Sequence, residues 1–260
     1  MRKIIVALFL VALMASPAFA LFTNGGFETG DTSGWTVTYG NAYSNTYSPT
    51  WGAAAQYAGY GGIYEYPAPT IVTSSTYPGG YVTKNIDPYN GNKMLQINDA
   101  IGYWHATRVE QTDTIAAADL TETLYVNWGA VLENPSHPTI DQPTFSIEVL
   151  RNGVALNTFF ADATNAAATW ENVGTGWGYD PLYYKSGTYE YALSGFSVGD
   201  TITVRMWVAD CGQGGHGGFA FLDGIGTTYQ PPNGVPEPTT MLLLGLGLVG
   251  LAGVRRKIQK

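Results

Sequence analysis

Apolar side chains recur at every second position in several segments, and this period constrains the fold more than any other feature of the chain. In Thr201–Val208 the apolar residues Ile202, Val204, Met206 and Val208 fall on one face of an extended strand. The same alternation marks 124–132 and 145–149. Further candidate strands are 93–98, 107–115, 154–160 and 188–193. Asn152-Gly153, between two of these strands, predicts a hairpin turn. No segment shows a helical period beyond one turn at 115–120. About ten strands predict an all-β fold, an antiparallel two-sheet sandwich of jelly-roll type.

Residues 39–81 break this pattern. The segment is rich in Tyr, Gly, Ser and Pro and has little periodicity. It is predicted to be a long loop or insertion laid over the sandwich, and loops of this length are usually either functional or mobile.

The amino terminus has the order of a secretory signal. Arg2 and Lys3 precede an apolar run at 4–14, and small residues end at Ala18 and Ala20. Cleavage after Ala20 is predicted, with export through the Sec translocon. The apolar run is shorter than a membrane span requires, which argues against a retained anchor.

The carboxyl terminus carries three features in order. Val235-Pro236-Glu237-Pro238 is followed by the uncharged stretch 239–254 and then by the basic residues Arg255, Arg256, Lys257 and Lys260. The stretch predicts one short transmembrane helix with its basic end in the cytoplasm. The tail resembles the PEP-CTERM sorting signal, whose substrates are recognised by an exosortase. The resemblance implies a Gram-negative source, a transient inner-membrane stage, removal of the tail, and delivery to the outer membrane surface or extracellular matrix.

These ends define the domain organisation: a signal peptide at 1–20, a sandwich at 21–230, a linker at 231–234 and a sorting signal at 235–260. Residues 21–234 hold six of the twelve Lys and Arg residues and nineteen of the twenty Asp and Glu residues, so their formal net charge is −13. Such acidity excludes nucleic acid as an expected partner and suits cations or neutral sugars. Cys211 is the only cysteine, so no internal disulfide is possible.

Both ends of the sandwich carry a family resemblance. The segment LFTNGGFETGDTSGWTV at 21–37 and the late strand FAFLDGI at 219–225 resemble galactose-binding-like sandwiches, which include many carbohydrate-binding modules. In that family the two ends often share a structural calcium ion. The resemblance implies Asn24 or its neighbouring carbonyls, Glu28 and Asp223 as oxygen ligands of Ca²⁺. The alternative is a turn at 24–26 with an exposed Glu28.

A second resemblance covers residues 93–223. The segments WGAVLENPSHPTIDQPTFSIEVLRNG and VRMWVADCGQGGHGGFAFLDGI are similar to parts of uncharacterised bacterial surface and adhesion proteins. There the cysteine of the Asp-Cys pair has a partner, which Cys211 lacks. No disulfide role is therefore carried over.

Two histidines are predicted on loops that adjoin strands. His137 and His216 could meet at one end of the sandwich near Asp210, Glu133 or Gln142, where two imidazoles and a carboxylate suit a transition metal such as zinc. The alternative is that each histidine binds a loop carbonyl.

Gly214, Gly215, Gly217 and Gly218 are expected to adopt positive φ angles at the turn into the last strand. Cys211 is expected to be buried and inert.

Aromatic residues in predicted loops are the main clue to function. Their rings can stack on sugars or can pack over the sandwich as a second core. They are Trp51, Tyr57, Tyr60, Tyr64, Tyr66, Trp104, Trp177, Tyr179, Tyr183 and Tyr184. The candidate ligand-binding residues are His137, Gln142, Asp210, His216, Trp104 and Trp177, and no residue is assigned as catalytic. The predicted function is non-catalytic binding of exopolysaccharide at the cell surface; the alternatives are a structural matrix protein without a defined glycan and a polysaccharide-active hydrolase.

Overall fold

The computed structural model describes residues 21–42, 49–52, 67–74 and 84–229, and the backbone of 56–59 and 62–65. The predicted signal peptide, the sorting tail and part of the predicted loop at 39–81 lie outside these residues. Within the described part of the chain, no helix has the length and apolar character needed to cross a bilayer.

The alternating segments form strands, as predicted. In the described residues the strands are β1 (Thr36–Asn41), β2 (Thr50–Trp51), β3 (Gln56–Gly59), β4 (Gly62–Glu65), β5 (Thr70–Val72), β6 (Met94–Ile97), β7 (His105–Thr114), β8 (Thr123–Glu133), β9 (Thr144–Arg151), β10 (Val154–Asp162), β11 (Glu171–Thr175), β12 (Pro181–Ala192), β13 (Thr201–Ala209) and β14 (Gly218–Gly226).

The strands build two antiparallel sheets. One has the order β10-β9-β13-β7-β1-β2, and the other has the order β11-β12-β8-β14-β6-β5. The chain changes sheet between β6 and β7, β7 and β8, β8 and β9, β10 and β11, β12 and β13, and β13 and β14. Such repeated crossing is typical of a jelly roll, so the prediction of an all-β, two-sheet sandwich is confirmed. The prediction of a long loop at 39–81 laid over the sandwich is wrong in part. Within this segment β2 and β5 are edge strands of the two sheets, and β3 and β4 form a separate hairpin.

The core lies between the two sheets and follows the predicted period. Ile202, Val204 and Met206 of β13 pack in one buried cluster with the alternating residues of β8 and β9. The contributing residues of β8 and β9 are Leu124, Val126, Trp128, Ala130, Leu132, Phe145, Ile147 and Val149. Each sheet therefore contributes the face that its two-residue alternation marks.

The predicted hairpin turn joins β9 to β10. Asn152 and Gly153 have φ angles of 52° and 79°, the left-handed pair that a two-residue turn of this kind requires. The Asn152 side chain also accepts a hydrogen bond from the Thr201 backbone N–H at 2.9 Å, which ties the turn to the start of β13.

The prediction that the mature region lacks helices is wrong at one place. Ala163–Thr169 forms a seven-residue helix, α1, after Asp162, whose carboxylate accepts a hydrogen bond from the backbone N–H of Asn165 at 2.8 Å. Two turns are too few to produce a clear helical period, so only the capping residue and the alanines indicate this helix. The single turn predicted at 115–120 is present as a 3₁₀ turn at Asp119–Thr121.

Candidate binding site

Four connections meet at one end of the sandwich. They are residues 98–104, 134–143 and 176–180, and residues 210–217, here called the glycine loop. Gly102 and Gly178 both pack against the glycine loop: a Cβ on Gly102 would lie 2.1 Å from the His216 backbone nitrogen, and one on Gly178 would lie 2.6 Å from the Gly215 carbonyl oxygen. Glycines at these two positions allow the connections to approach this closely.

The glycine loop closes on itself. The backbone N–H of Cys211 donates to the His216 carbonyl at 3.0 Å, and that of Gly214 donates to the Cys211 carbonyl at 3.1 Å. The prediction of positive φ is confirmed for Gly214 (75°) and Gly215 (87°). It is wrong for Gly217 and Gly218; a Cβ on Gly217 would lie 2.4 Å from the Ala100 carbonyl oxygen, so close packing explains this glycine.

Asp210 is buried, and both of its carboxylate oxygens accept hydrogen bonds from other residues of the chain. Its Oδ1 accepts hydrogen bonds from the Asn98 side chain at 3.0 Å and the Gly218 backbone at 3.3 Å. Its Oδ2 accepts from the backbone N–H groups of Tyr103 at 3.1 Å and His105 at 2.9 Å. Burial raises the pKa of this carboxyl well above its usual value. The structure therefore places Asp210 as a tie between two connections, beside the histidine pair but turned away from it.

The two predicted histidines do meet. The ring centroids of His137 and His216 lie 4.9 Å apart at 86°. The third group at this place is Cys211, because one ligand atom from each of the three residues lies within 4.8 Å of the others. Cys211 Sγ lies 3.4 Å from His216 Nδ1 and 3.0 Å from the Gly214 carbonyl oxygen, to which it donates.

Electrostatics at this cluster favour neutral groups. Burial raises the pKa of the Cys211 thiol to about 12, in agreement with the expectation of a buried cysteine. Burial and the neighbouring His137 lower the pKa of His216, so its imidazole is neutral at pH 7. His216 Nε2 lies 3.1 Å from Asp180 Oδ2. No sequence pattern indicates Asp180, because its approach to His216 depends on the position of the 176–180 connection.

Gln142 and Glu133 hold the surrounding loops. Gln142 donates from Nε2 to the His137 carbonyl at 2.8 Å. Glu133 is fully buried, and its carboxylate accepts backbone hydrogen bonds from Gly178 at 2.7 Å and Gly217 at 3.0 Å. Burial raises the pKa of Glu133 to about 7. Both residues lie next to the histidine pair, as predicted, and both position it.

Trp104 and Trp177 line one groove on the outside of the glycine loop. The groove has a volume of about 250 Å³, and its other lining residues are Gly102, Tyr103, Gln213, Gly214 and Gly215. Trp104 lies against Gly214 and donates from Nε1 to the Gly212 carbonyl at 2.9 Å, so its ring is fixed. Trp177 is 42% exposed. One fixed and one exposed indole therefore border the same concave surface.

The other aromatic residues are distributed differently from the prediction. Tyr179 is 80% exposed on its loop, as expected. The loop prediction is wrong for the residues that lie in strands, namely Trp51 in β2, Tyr57 in β3, Tyr64 in β4, and Tyr183 and Tyr184 in β12. Tyr60 and Tyr66 lie outside the described residues.

The predicted calcium ligands lie where the amino-terminal segment meets β14. The backbone N–H of Ile225 donates to the Gly25 carbonyl at 3.1 Å, so the two ends of the sandwich are in contact. A Cβ on Gly26 would lie 3.9 Å from Asp223 Oδ1 and 4.0 Å from Glu28 Cγ, which places both carboxylates beside the same short backbone segment.

The fit to calcium differs among the three residues. Asp223 Oδ1 is buried and has no hydrogen-bond partner in the described part of the chain, and burial together with the Glu28 charge raises the pKa of Asp223 to about 7. Glu28 Oε1 accepts hydrogen bonds from the backbone of Asn92 and Lys93. The side chain of Asn24 is directed instead to Thr29, Asp31 and Ser33. A cation would compensate the Asp223 and Glu28 pair, whereas the Asn24 side chain is already occupied.

The carboxyl-terminal residues match a known motif. Residues 234–257 match the family model of the PEP-CTERM protein-sorting motif, which confirms the resemblance seen at Val235-Pro236-Glu237-Pro238 and the basic cluster. The motif indicates export and sorting to the cell surface in Gram-negative bacteria, with processing by an exosortase. A comparison with curated protein sequences gave no match.

Solved structures with a similar fold include two carbohydrate-binding modules. This is the class of protein that the segments at 21–37 and 219–225 resemble. A CBM28 module specific for non-crystalline cellulose is 16% identical, with 80% of this chain and 95% of that chain covered and a TM-score of 0.40. The CBM27-1 module of Caldicellulosiruptor saccharolyticus, in complex with mannohexaose, is 11% identical, with 82% and 97% covered and a TM-score of 0.39.

An enzymatically active domain is also similar. The tailspike protein 4 domain of bacteriophage CBA120 is 12% identical, with 81% of this chain covered and a TM-score of 0.38; the chain spans 22% of its length. Likeness at this level carries no argument about binding or catalysis, so the function has to be argued from this chain's own residues.

Proposed function

We propose that this exported protein binds a neutral exopolysaccharide, without catalysis, at the outer membrane surface or in the extracellular matrix. The observation that supports the proposal is the groove bordered by Trp104 and the exposed Trp177. An indole with a free face can stack on the apolar face of a pyranose ring, and a ring fixed in advance loses little conformational entropy when it does so.

The surroundings of the groove suit a sugar. Gln213 lines the groove, and because its Nε2 already donates to Asp141 Oδ2 at 3.0 Å, its amide oxygen is the group that it can offer to a sugar. The backbone carbonyl oxygens of Gly214 and Gly215 are further acceptors beside the indoles. Sugar recognition requires this combination of a flat apolar surface and a few polar groups that fix orientation. The acidic character of residues 21–234 disfavours anionic polymers, so a neutral glycan is the proposed ligand.

The composition of the groove supports the non-catalytic assignment. Glycoside hydrolysis uses two carboxyl groups placed across the scissile bond. Among the described residues, the groove lining contains no Asp or Glu. The buried carboxylates nearby, Asp210 and Glu133, are occupied by backbone N–H groups.

The experiment is a glycan array and a polysaccharide pull-down with the purified chain. Trp177→Ala should remove binding, since the exposed stacking face is lost, while leaving the melting temperature unchanged. The matched control is Tyr179→Ala, because Tyr179 is more exposed, lies two residues away and does not line the groove. Equal binding by the wild type and Trp177→Ala would contradict the assignment of the groove.

Two other outcomes would favour the alternative functions. A blank array with a correctly folded chain would favour a structural matrix protein. If the chain releases reducing sugar and single carboxylate substitutions abolish this release, the result would favour a hydrolase.

We also propose a structural Ca²⁺ at the junction of the sandwich ends, held by Asp223 and Glu28 with nearby backbone carbonyls. Calcium takes hard oxygen ligands from separate segments, and binding only to the folded state would stabilise a domain without disulfides. The buried Oδ1 of Asp223, which has no hydrogen-bond partner among the described residues, supports this assignment.

A further inference from the structure

We propose that His137, Cys211 and His216 form a zinc site behind the glycine loop. This inference concerns a different ligand from the glycan and does not depend on the proposed function. The three side chains come from two connections that are far apart in sequence, between β8 and β9 and between β13 and β14. One ligand atom of each lies within 4.8 Å of the other two.

The spacing matches the metal's geometry. Zinc bonds of about 2.1 Å to nitrogen and 2.3 Å to sulfur, arranged tetrahedrally, place neighbouring ligand atoms about 3.5 Å apart. Cys211 Sγ and His216 Nδ1 are separated by 3.4 Å. His137 is half-buried on a loop, and one of its ring nitrogens lies within 4.8 Å of the ligand atoms of Cys211 and His216. Among the residues that the structure describes, the buried Nδ1 of His137 has no hydrogen-bond partner.

Asp180 supplies the outer support that metal-bound histidines usually have. Its carboxylate lies 3.1 Å from His216 Nε2. A proton held on Nε2 by this carboxylate leaves the lone pair on Nδ1, which faces the Cys211 sulfur. Gln142 holds the His137 connection through its carbonyl oxygen. Contacts with Asp180 and Gln142 therefore position both connections that carry the histidines.

The donor set selects the class of metal. One thiolate and two neutral imidazoles favour zinc over calcium or magnesium, which prefer oxygen ligands. On binding, the Cys211 thiol releases its proton to solvent and the thiolate coordinates the ion, so the charge balances without an oxidant. Three protein ligands leave a fourth position for water.

A thiol beside a histidine and an aspartate also invites interpretation as a hydrolase nucleophile. Cys211 is fully buried, and its sulfur donates to the Gly214 carbonyl. A nucleophilic cysteine needs an accessible thiolate, whereas a ligand needs only to reach the ion. The geometry therefore points to coordination.

The test uses the full-length chain, purified in mild detergent without a histidine tag and stripped with a chelator. Titration with Zn²⁺ in excess Mg²⁺ should give one zinc ion per chain. Titration with Co²⁺ should give a thiolate-to-cobalt charge-transfer band. His137→Ala should remove the stoichiometric zinc binding and leave the chain folded, because the residue lies on a loop. Asp180→Asn should retain the stoichiometry with affinity about 10- to 100-fold weaker.

Trp177→Ala is the matched control, because it alters the groove and leaves the three ligands in place; it should bind zinc like the wild type. Cys211→Ser should lose the charge-transfer band, and if this buried substitution prevents folding, His137→Ala decides the question. The proposal is overturned if the wild type binds less than one zinc ion per chain in excess Mg²⁺. It is also overturned if His137→Ala binds zinc as tightly as the wild type.

Discussion

At the scale of single residues, buried carboxylates hold the loop end of the sandwich together. Glu133 joins the 176–180 connection to the glycine loop, and Asp210 joins the 98–105 segment to the start of β14. Burial raises the pKa of both, which means that the folded state binds a proton more tightly than the unfolded chain does. These carboxylates therefore make stability depend on pH.

The first prediction concerns Glu133. The pKa of about 7 in the folded state exceeds the ordinary value of 4.5, so the proton-linked stability is fully present below pH 4.5 and is lost as pH rises through about 7. Glu133→Gln, which cannot titrate, should reduce the loss of unfolding free energy between pH 5 and pH 8 by about 1–3 kcal/mol. Urea unfolding at the two pH values measures this difference. An unchanged pH dependence in the variant would contradict the assignment.

At the scale of secondary-structure elements, the β9–β10 hairpin shows how far a local pattern can predict. Asn152-Gly153 predicts a two-residue turn, and the structure has both residues at positive φ. The strands on either side pair antiparallel from Val154 and Arg151 onward. Helix α1 shows the opposite case, since its start depends on the Asp162 cap and its burial on packing of Ala163 and Ala166.

The second prediction tests this turn. Gly153→Ala meets no atom within 4 Å but forces alanine into a φ of 79°, so it should lower the unfolding free energy by about 1–2 kcal/mol. Gly195→Ala is the matched control, because Gly195 is also in open space and does not have a positive φ. Chemical unfolding of the two variants measures the difference. Similar stabilities would show that the turn does not require its left-handed residue.

At the scale of the whole molecule, the sandwich is closed by a contact between its ends. Gly25 meets Ile225 through a backbone hydrogen bond, and a Cβ on Gly25 would lie 2.1 Å from the Ile225 carbonyl oxygen. The proposed calcium ligands Glu28 and Asp223 lie beside this contact. An ion bound there would stabilise the whole fold, because opening the junction separates its ligands.

The third prediction follows from that position. Adding a calcium chelator should lower the melting temperature of the wild type, and restoring Ca²⁺ should reverse the change. Asp223→Asn should be insensitive to the chelator, while Asp200→Asn, on a turn away from the junction, should respond like the wild type. Calorimetry or circular dichroism in the presence and absence of chelator measures the effect. A wild-type melt that is indifferent to the chelator would exclude the ion.

The sequence predicted the candidate site only in part. It indicated that His137 and His216 could meet, because loops that follow strands gather at the ends of a sandwich, but it left open the alternative that each binds a loop carbonyl. It did not predict that Cys211 completes the cluster while Asp210 turns away, although the two residues are adjacent. Successive side chains at the end of a strand face opposite directions, so the choice depends on where β13 ends and on how the glycine loop closes.

Sequence alone determined the strands that show a regular two-residue alternation, the hairpin turn, the acidic charge and the sorting motif, because each depends on residues that are close together in the chain. Tertiary structure decided which connections share an end of the sandwich. Asp180 contacts His216, and Trp104 and Trp177 line one groove, only because strands of both sheets bring their loops to the same end of the sandwich. The order of strands in each sheet is set by packing between distant segments, and no local period records it.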